Sequence, residues 1–311
     1  MKVRAFLGLG QVPADLGPTA VTIGVFDGVH RGHQALLGRV AEEAVAGGLV
    51  PGAITFDRHP LEIVRPGSHP RLLCTLRQRV DLLGEAGMEF VLVLPFTPRL
   101  SRMAPEEFAV KVLLDTVSAR VIVVGANFRF GHRAAGDPQL IAGLARPRGV
   151  DVVALSLDGE AGEAVSSTRI RSALSEGDVR TAARLLGRPF AVEGHVARGA
   201  GRGRLLGVPT ANLLVPARLA LPANGVYAGH LELPGGRPLP AVSNVGFSPQ
   251  FGGADLRVEA HVLDFDGDLY GERVRLSFEQ RLRDEATFPD VAKLIAKMQE
   301  DIALARRLLG A

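Results

Sequence analysis

The first half of the chain alternates short apolar runs with amphipathic stretches. Val21–Val25, Val50–Phe56, Phe90–Pro95, Arg120–Gly125 and Val152–Leu155 are apolar and rich in β-branched residues, and they predict five strands. Between the first two, Leu36, Leu37, Val40, Ala44 and Val45 recur at helical spacing, with Glu42 and Glu43 on the other side. Further helices are expected from about Leu76 to Gly87 and after Ser101, where Phe108, Val112 and Leu113 supply an apolar face. Strands separated by helices imply an α/β domain with a parallel sheet, and ligands in such sheets bind beyond the carboxyl ends of the strands.

Ser167–Ser175 and Asp178–Leu186 read as two short helices, the second ended by Gly187. From Arg188 the texture changes: Gly and Pro become frequent, and short alternating runs replace the strand–helix rhythm. Phe190–Ala197, Gly225–Glu232, Leu239–Val245, Arg257–Phe265 and Arg273–Phe278 predict a small antiparallel β barrel. Val291, Leu294, Ile295, Met298, Ile302, Ala305 and Leu308 then form one apolar helical stripe. The boundary is expected near Gly187–Pro189, giving domains 1–187 and 188–311.

Composition narrows the class. A chain of 311 residues suits two domains, and 47% hydrophobic with 22% charged residues excludes disorder. Lys and Arg number 36 against 33 Asp and Glu, a net charge of +3. That excess suits anionic small molecules such as nucleotides. No basic run forms the stripe a nucleic acid would need, so no nucleic-acid partner is expected. Cys74 is the only cysteine, so no intramolecular disulfide can form, which fits a reducing compartment. Met1–Gly17 does not read as a signal peptide and no apolar run approaches a membrane span. The expected location is the cytoplasm, with no membrane partner; self-association is compatible with the sequence.

Candidate chemistry begins after the first predicted strand, at Gly24-Val25-Phe26-Asp27-Gly28-Val29-His30-Arg31-Gly32-His33. Gly24, Gly28 and Gly32 let backbone approach a ligand, and the helix start offers unpaired N–H groups suited to phosphate. His30 and His33, three apart, can face one side of the first turn and donate to phosphate oxygens. A zinc site is the alternative, but no third ligand stands at fixed spacing. No GxxxxGK(S/T) loop occurs. Ser167 and Thr168 can cap the helix they open and offer hydroxyls to phosphate, and Arg171 can clamp a phosphate oxygen; a plain cap with a surface arginine is the bland alternative. Asn127 suits a ligand contact or an Asx turn, and His59 before Pro60 suits a ligand contact or turn packing.

In the second half, Gly201–Asn212 joins a Gly-rich basic loop to Pro209-Thr210-Ala211-Asn212. In an extended segment Thr210 and Asn212 face the same way, and their oxygens are the hard ligands Mg²⁺ prefers. A surface hairpin with two polar residues is the alternative.

Gly24–His33 resembles the GxFDGxHxGH signature of the nucleotidylyltransferase superfamily, as it stands in prokaryotic FAD synthetases. Thr55–Pro60 resembles that family's TF-(E/D)-PHP element, with Arg58 for the usual proline. Gly125–Gly131 resembles GxDFxFG with Asn127 where aspartate is frequent, and Ser166–Arg171 resembles SSTxIR. Gly201–Asn212 is similar to the riboflavin kinase signature GxGRxLGxPTAN. Leu221–Gly229, Val258–Phe265, Leu269–Gly271 and Arg283–Phe288 follow in the family's order. Gln250 departs from the family's NxGxxPTF loop.

The resemblance covers nearly the whole chain. It implies a Rossmann-like adenylyltransferase followed by a β-barrel kinase: riboflavin is phosphorylated by ATP to FMN, and FMN is adenylylated by ATP to FAD with release of pyrophosphate. It implies Mg²⁺, and it implies Gly24, Phe26, Asp27, Gly28, His59, Asn127, Ser167, Thr168 and Arg171 around ATP and FMN in the adenylyltransferase. Around ATP and riboflavin in the kinase it implies Gly203, Gly207, Pro209, Thr210, Asn212, Tyr227 and Arg283. It also implies Thr210 and Asn212 as metal ligands and Glu259 as the base for the ribityl hydroxyl. Two narrower readings stand beside this one: a single live activity, the kinase, or a non-catalytic flavin-binding or RNA-binding regulator. Intact His30, His33, Thr210, Asn212 and Glu259 argue against the regulator.

Overall fold

The computed structural model describes residues 3–156, 165–199, 203, 206–248 and 255–311. It divides into two compact units, Met1–Ser166 and Ser167–Ala311.

In the first unit, β1 (Arg4–Leu7), β2 (Thr19–Ile23), β3 (Val50–Phe56), β4 (Phe90–Leu94), β5 (Ala119–Gly125) and β6 (Asp151–Leu155) form one sheet in the order β1-β4-β3-β2-β5-β6. Every pairing is parallel. The five expected strands are present, and β1 adds a sixth at the edge. It escaped the apolar pattern because three of its four residues are exposed. All five residues of β2 and all five of β4 are buried, as continuous apolar runs in a parallel sheet covered on both faces require. Gly52 lets β3 lie against its neighbour, since a Cβ there would come within 2.1 Å of the Phe90 ring.

Helices α1 (Arg31–Gly47) and α3 (Leu76–Glu85) cover one face, where Leu37, Val40 and Leu83 pack on Val91 and Val123. The other face holds α5 (Pro105–Phe108), which runs on as wider π-type turns to Thr116, and α6 (Pro138–Ala145). There Phe108, Val112 and Ile141 pack on Ile54, Leu92 and Ile122. Two short helices, α2 (Leu61–Val64) and α4 (Pro98–Ser101), lie in the loops after β3 and β4. The chain moves outward from β2 through β3 to β4, then crosses back to place β5 on the other side of β2. That reversal opens a crevice at the carboxyl ends of β2 and β5, where such sheets hold ligands.

The second unit opens with α7 (Ser167–Ser175) and α8 (Val179–Leu186). Its strands are β7 (Phe190–Ala197), β8 (Ala211–Leu214), β9 (Gly225–Glu232), β10 (Leu239–Ser248), β11 (Asp255–Val262) and β12 (Arg273–Phe278). They run antiparallel in the order β10-β11-β8-β7-β12-β9, and β9 pairs with β10 to close a six-stranded barrel. A short β13 (Gln280–Arg283) continues beside β9. The expected barrel is present, and β8 and β13 are additions to the five strands its pattern predicted. The terminal helix α9 (Val291–Leu309), capped by Asp290 and ended by Gly310, packs on β9, β10 and β13. Both ends of its apolar stripe, Val291 and Leu308, are exposed.

The compact division falls at Ser166/Ser167, ahead of the change of texture at Gly187. The reason is visible at α7. The Ala223 N–H donates to the Leu174 carbonyl, Arg281 reaches the Glu176 carbonyl, and Ile170 and Leu174 are fully buried.

Candidate active sites

The loop after β2 is bent into an uncommon shape. Phe26, Gly28 and Val29 all have positive φ, at 50°, 82° and 42°. Two of these are not glycine, and such strain persists only where the surroundings fix it. Asp27 is buried and its Oδ1 accepts the Leu73 N–H at 2.8 Å, while the Gly28 N–H donates to Cys74 Sγ at 3.2 Å. Asp27, expected around the ligand, thus ties the loop to Leu73, and Phe26 beside it is buried. Burial, then the neighbouring Asp27 carboxylate, push the Cys74 thiol up to about 11. It stays protonated and serves structure.

His30 is the N-cap of α1, its Nδ1 accepting the His33 N–H at 3.3 Å. The two imidazoles stack at 3.6 Å between centroids and 14° between planes, and the Phe26 ring meets His33 edge-on at 5.1 Å. Burial, the His30 ring and the Arg79 guanidinium together hold the His33 pKa well below its ordinary value. His33 is therefore neutral at physiological pH, and its buried Nδ1 has no hydrogen-bond partner in the described structure.

His59 lies just past β3, where its Nδ1 accepts the Leu61 N–H at 3.2 Å. Arg58 pairs with Asp57 at 3.2 Å on the surface, and Asp57 also accepts the Phe96 N–H. Asn127 follows β5 and is exposed. Because β3, β2 and β5 are adjacent in the sheet, the loops carrying His59, Gly24–His33 and Asn127 leave one rim. Ser167, Thr168 and Arg171 lie in the first turns of α7, in the second unit.

Among the described residues, two cavities are lined by strands of the barrel. The larger, about 470 Å³, is lined by Pro209, Thr210, Asn212 and the loop from Phe265 to Tyr270. The smaller, about 270 Å³, is lined by Glu259, Arg283 and a wall of Leu206, Val226, Phe288, Leu294, Met298 and Ile302. Ala260 and Val262 face the first, and Glu259 and His261 face the second. Successive residues of a strand point to opposite sides, so the cavities flank β11. They meet at Gly203 and Thr210, which line both. Glu259 pairs in register with Asn212 of β8, and its carboxylate stands 3.6 Å from Arg257 Nη1.

Backbone is pressed close to the polar pair. A Cβ on Gly199 would lie 2.2 Å from Asn212 Nδ2, and one on Gly203 would lie 3.1 Å from Thr210 Oγ1. Tyr227 and Gly207 line neither cavity. Tyr227 is a core residue, fully buried, with its hydroxyl donating to the Ala223 carbonyl. Gly207 supplies a turn at φ 76°.

The FAD synthetase family matches residues 12–169, and the riboflavin kinase family matches residues 186–309. The bifunctional riboflavin kinase/FMN adenylyltransferase of Escherichia coli K12 is 35% identical over 309 residues, covering 99% of this chain and 97% of that protein. The protein of the same description from Pseudomonas fluorescens is 38% identical over 302 residues, covering 97% and 96%. The chain belongs to the bifunctional riboflavin kinase/FMN adenylyltransferase family. It makes FMN from riboflavin and ATP, and FAD from FMN and ATP. A solved structure from Streptococcus pneumoniae, described as a macrolide-efflux protein, aligns over 98% of this chain and 99% of its own at TM-score 0.88 and 28% identity. Among the described residues, no helix here is long and apolar enough to cross a membrane.

Within this family frame, Gln250 and residues 201, 202, 204 and 205 lie outside the described residues. Two charged residues, Arg79 and Asp301, escaped the sequence reading. Arg79 sits wholly buried on α3 beside His33. Asp301, also buried, holds Arg283 by two contacts of 2.8 Å. Glu285 lines the smaller cavity. Arg79 and Asp301 each interrupt the apolar face of an amphipathic helix, and that interruption was the available signal.

Proposed function

We propose that phosphoryl transfer takes place at Thr210, where the two cavities of the barrel meet. ATP occupies the larger cavity with its terminal phosphate toward Thr210 and Asn212. The isoalloxazine occupies the smaller, apolar one, with the ribityl hydroxyl toward Glu259. The observation that carries this reading is the shared lining at Gly203 and Thr210 on either side of β11. Glu259 takes the hydroxyl proton as the oxygen attacks the γ-phosphorus.

The residues present fit Mg²⁺. Gly199 and Gly203 leave room around the Asn212 and Thr210 side chains that a Cβ would fill. The ion keeps several waters and phosphate ligands, so two neutral protein oxygens suffice. Thr210 and Asn212 would hold it, and it would neutralise charge on the phosphates.

For the second reaction, His30 and His33 hydrogen-bond the phosphates of ATP at the start of α1, while the rim loops with Asn127 and His59 contact nucleotide and FMN. The FMN phosphate attacks the α-phosphorus and pyrophosphate leaves; an ionised phosphate needs no base. Positioning and charge stabilisation carry the rate. The single buried Cys74 supports a reducing compartment, the cytoplasm.

Incubating the protein with riboflavin, ATP and Mg²⁺ and separating the flavins by chromatography yields FMN, then FAD. Adding a chelator stops the kinase step. Kinase turnover that continues without a divalent cation sinks the metal assignment.

Gly199→Ala is expected to slow the kinase about tenfold or more while changing thermal stability little. The added methyl meets the end of a movable Asn212 side chain, so the fold can yield but the ligand set moves. An unchanged rate, read by FMN production, removes Asn212 from the site.

The activities divide between residues 1–187 and 188–311 by motif, whereas compactness begins the second unit at Ser167. A fragment from Ser167 to Ala311 is therefore expected to fold and phosphorylate riboflavin. A fragment from Arg188 loses the Ala223–Leu174 and Arg281–Glu176 ties and melts several degrees lower. Equal melting temperatures by circular dichroism would show that α7 and α8 add nothing to the barrel.

A further inference from the structure

Among the described residues, Arg79 is the largest fully buried side chain, and no acidic residue forms an ion pair with it. Its Nη1 donates to the Phe56 carbonyl at 2.8 Å and to Thr55 Oγ1 at 3.3 Å, and Thr55 Oγ1 in turn donates to the Val25 carbonyl at 3.1 Å. Its Nε and Nη2 have no hydrogen-bond partner. A guanidinium taken out of water without a counter-ion is a costly thing to keep in a core. This one lies under the carboxyl ends of β2 and β3, where the phosphate loop leaves the sheet. The ionisable groups around it are His33 and His30 at the start of α1, Asp27 of the loop, and the thiol of Cys74.

We propose that Arg79 is a positioning residue of the adenylyl-transfer site: through Thr55 and the Val25 carbonyl it fixes the loop that bears Phe26, and it sets a permanent positive charge beneath His33. The polyphosphate that arrives above adds negative charge to that of the buried Asp27 carboxylate nearby. The inference rests on the reading of His30 and His33 as phosphate contacts. In the ligand-free protein His33 stays neutral, a hydrogen-bonding ring already stacked on His30, and nothing has to be deprotonated or reoriented when the nucleotide binds. Arg79 does not touch the reacting atoms; it acts through His33 and the loop.

The test is the titration of the His33 ring by NMR in the full-length protein, for wild type, Arg79→Met and Arg79→Lys, with FAD formation from FMN and ATP measured alongside. In Arg79→Met the His33 titration moves up but stays below its ordinary range, because burial and the His30 ring still lower it, and the turnover for FAD falls by about 10–100-fold, the range typical of residues that orient a contacting group. KM for FMN moves less. Arg79→Lys keeps the low titration and restores most of the turnover. If Arg79→Met does not fold, Arg79→Gln, which keeps hydrogen bonds and loses the charge, takes its place with the same outcomes. A His33 titration that does not move, or a lysine variant no better than the neutral one, overturns the proposal. The titration needs no turnover, so its result stands apart from whether His33 contacts phosphate, which the alanine substitutions of the histidines test.

Discussion

Replacing His30 and His33 together with alanine is expected to abolish FAD formation while FMN continues to accumulate. The two rings stack at 3.6 Å at the first turn of α1, and His33 is neutral there. On the proposed reading both act as hydrogen-bond donors where charge develops on the phosphates of ATP. Each lost contact of this kind costs on the order of 2–4 kcal/mol of transition-state stabilisation, so the pair together lowers the rate by several powers of ten. His30 also caps α1, and an N-cap removed costs about 1 kcal/mol of stability. That is too little to unfold a domain with two buried helical faces on a six-stranded sheet. Chromatography of the flavin products, with a thermal melt as control, separates the outcomes. FAD produced at the wild-type rate removes both histidines from the site, and loss of both products with a collapsed melting transition signals a folding defect.

The sequence was most legible where burial is total. Buried runs such as β3 and β5 announce themselves as continuous apolar segments, and the alternation of β9 and β12 matches their observed bounds. The strands it missed are those whose partners decide them. β1 is an exposed edge, β8 is four residues following Pro209 and Thr210, and β13 is four half-buried residues paired in register with β9. The first signature loop was legible because glycines and two histidines coincide at a strand-to-helix junction, and the second only through its resemblance to the riboflavin kinase signature. Arg79 was not, since its meaning depends on Thr55 and Val25, which lie far from it along the chain. Tyr227 shows the converse. It stands inside a kinase signature, yet its ring belongs to the barrel core, packed edge-on against Phe278 at 5.5 Å.

Glu259→Gln is expected to slow phosphorylation of riboflavin by roughly 10²–10⁴-fold, the usual contribution of a general base. The carboxylate lines the apolar cavity and stands in register with Asn212, so the base and a proposed metal ligand sit on neighbouring strands across the place where the cavities meet. Glutamine keeps the size and the hydrogen bonding but cannot accept the proton of the ribityl hydroxyl. The pair with Arg257, at 3.6 Å and with both side chains about a third exposed, contributes little to stability, so its loss leaves the melting temperature nearly unchanged. Affinities for riboflavin and ATP change little, because the missing interaction is made only as the oxygen attacks. Supplying FMN directly rescues FAD formation, since the adenylyl transfer begins from a phosphate that is already ionised. Should kinase turnover survive the substitution, Glu259 holds Arg257 in place and the proton leaves by another route. Should FMN fail to rescue FAD, the variant has damaged more than the kinase step.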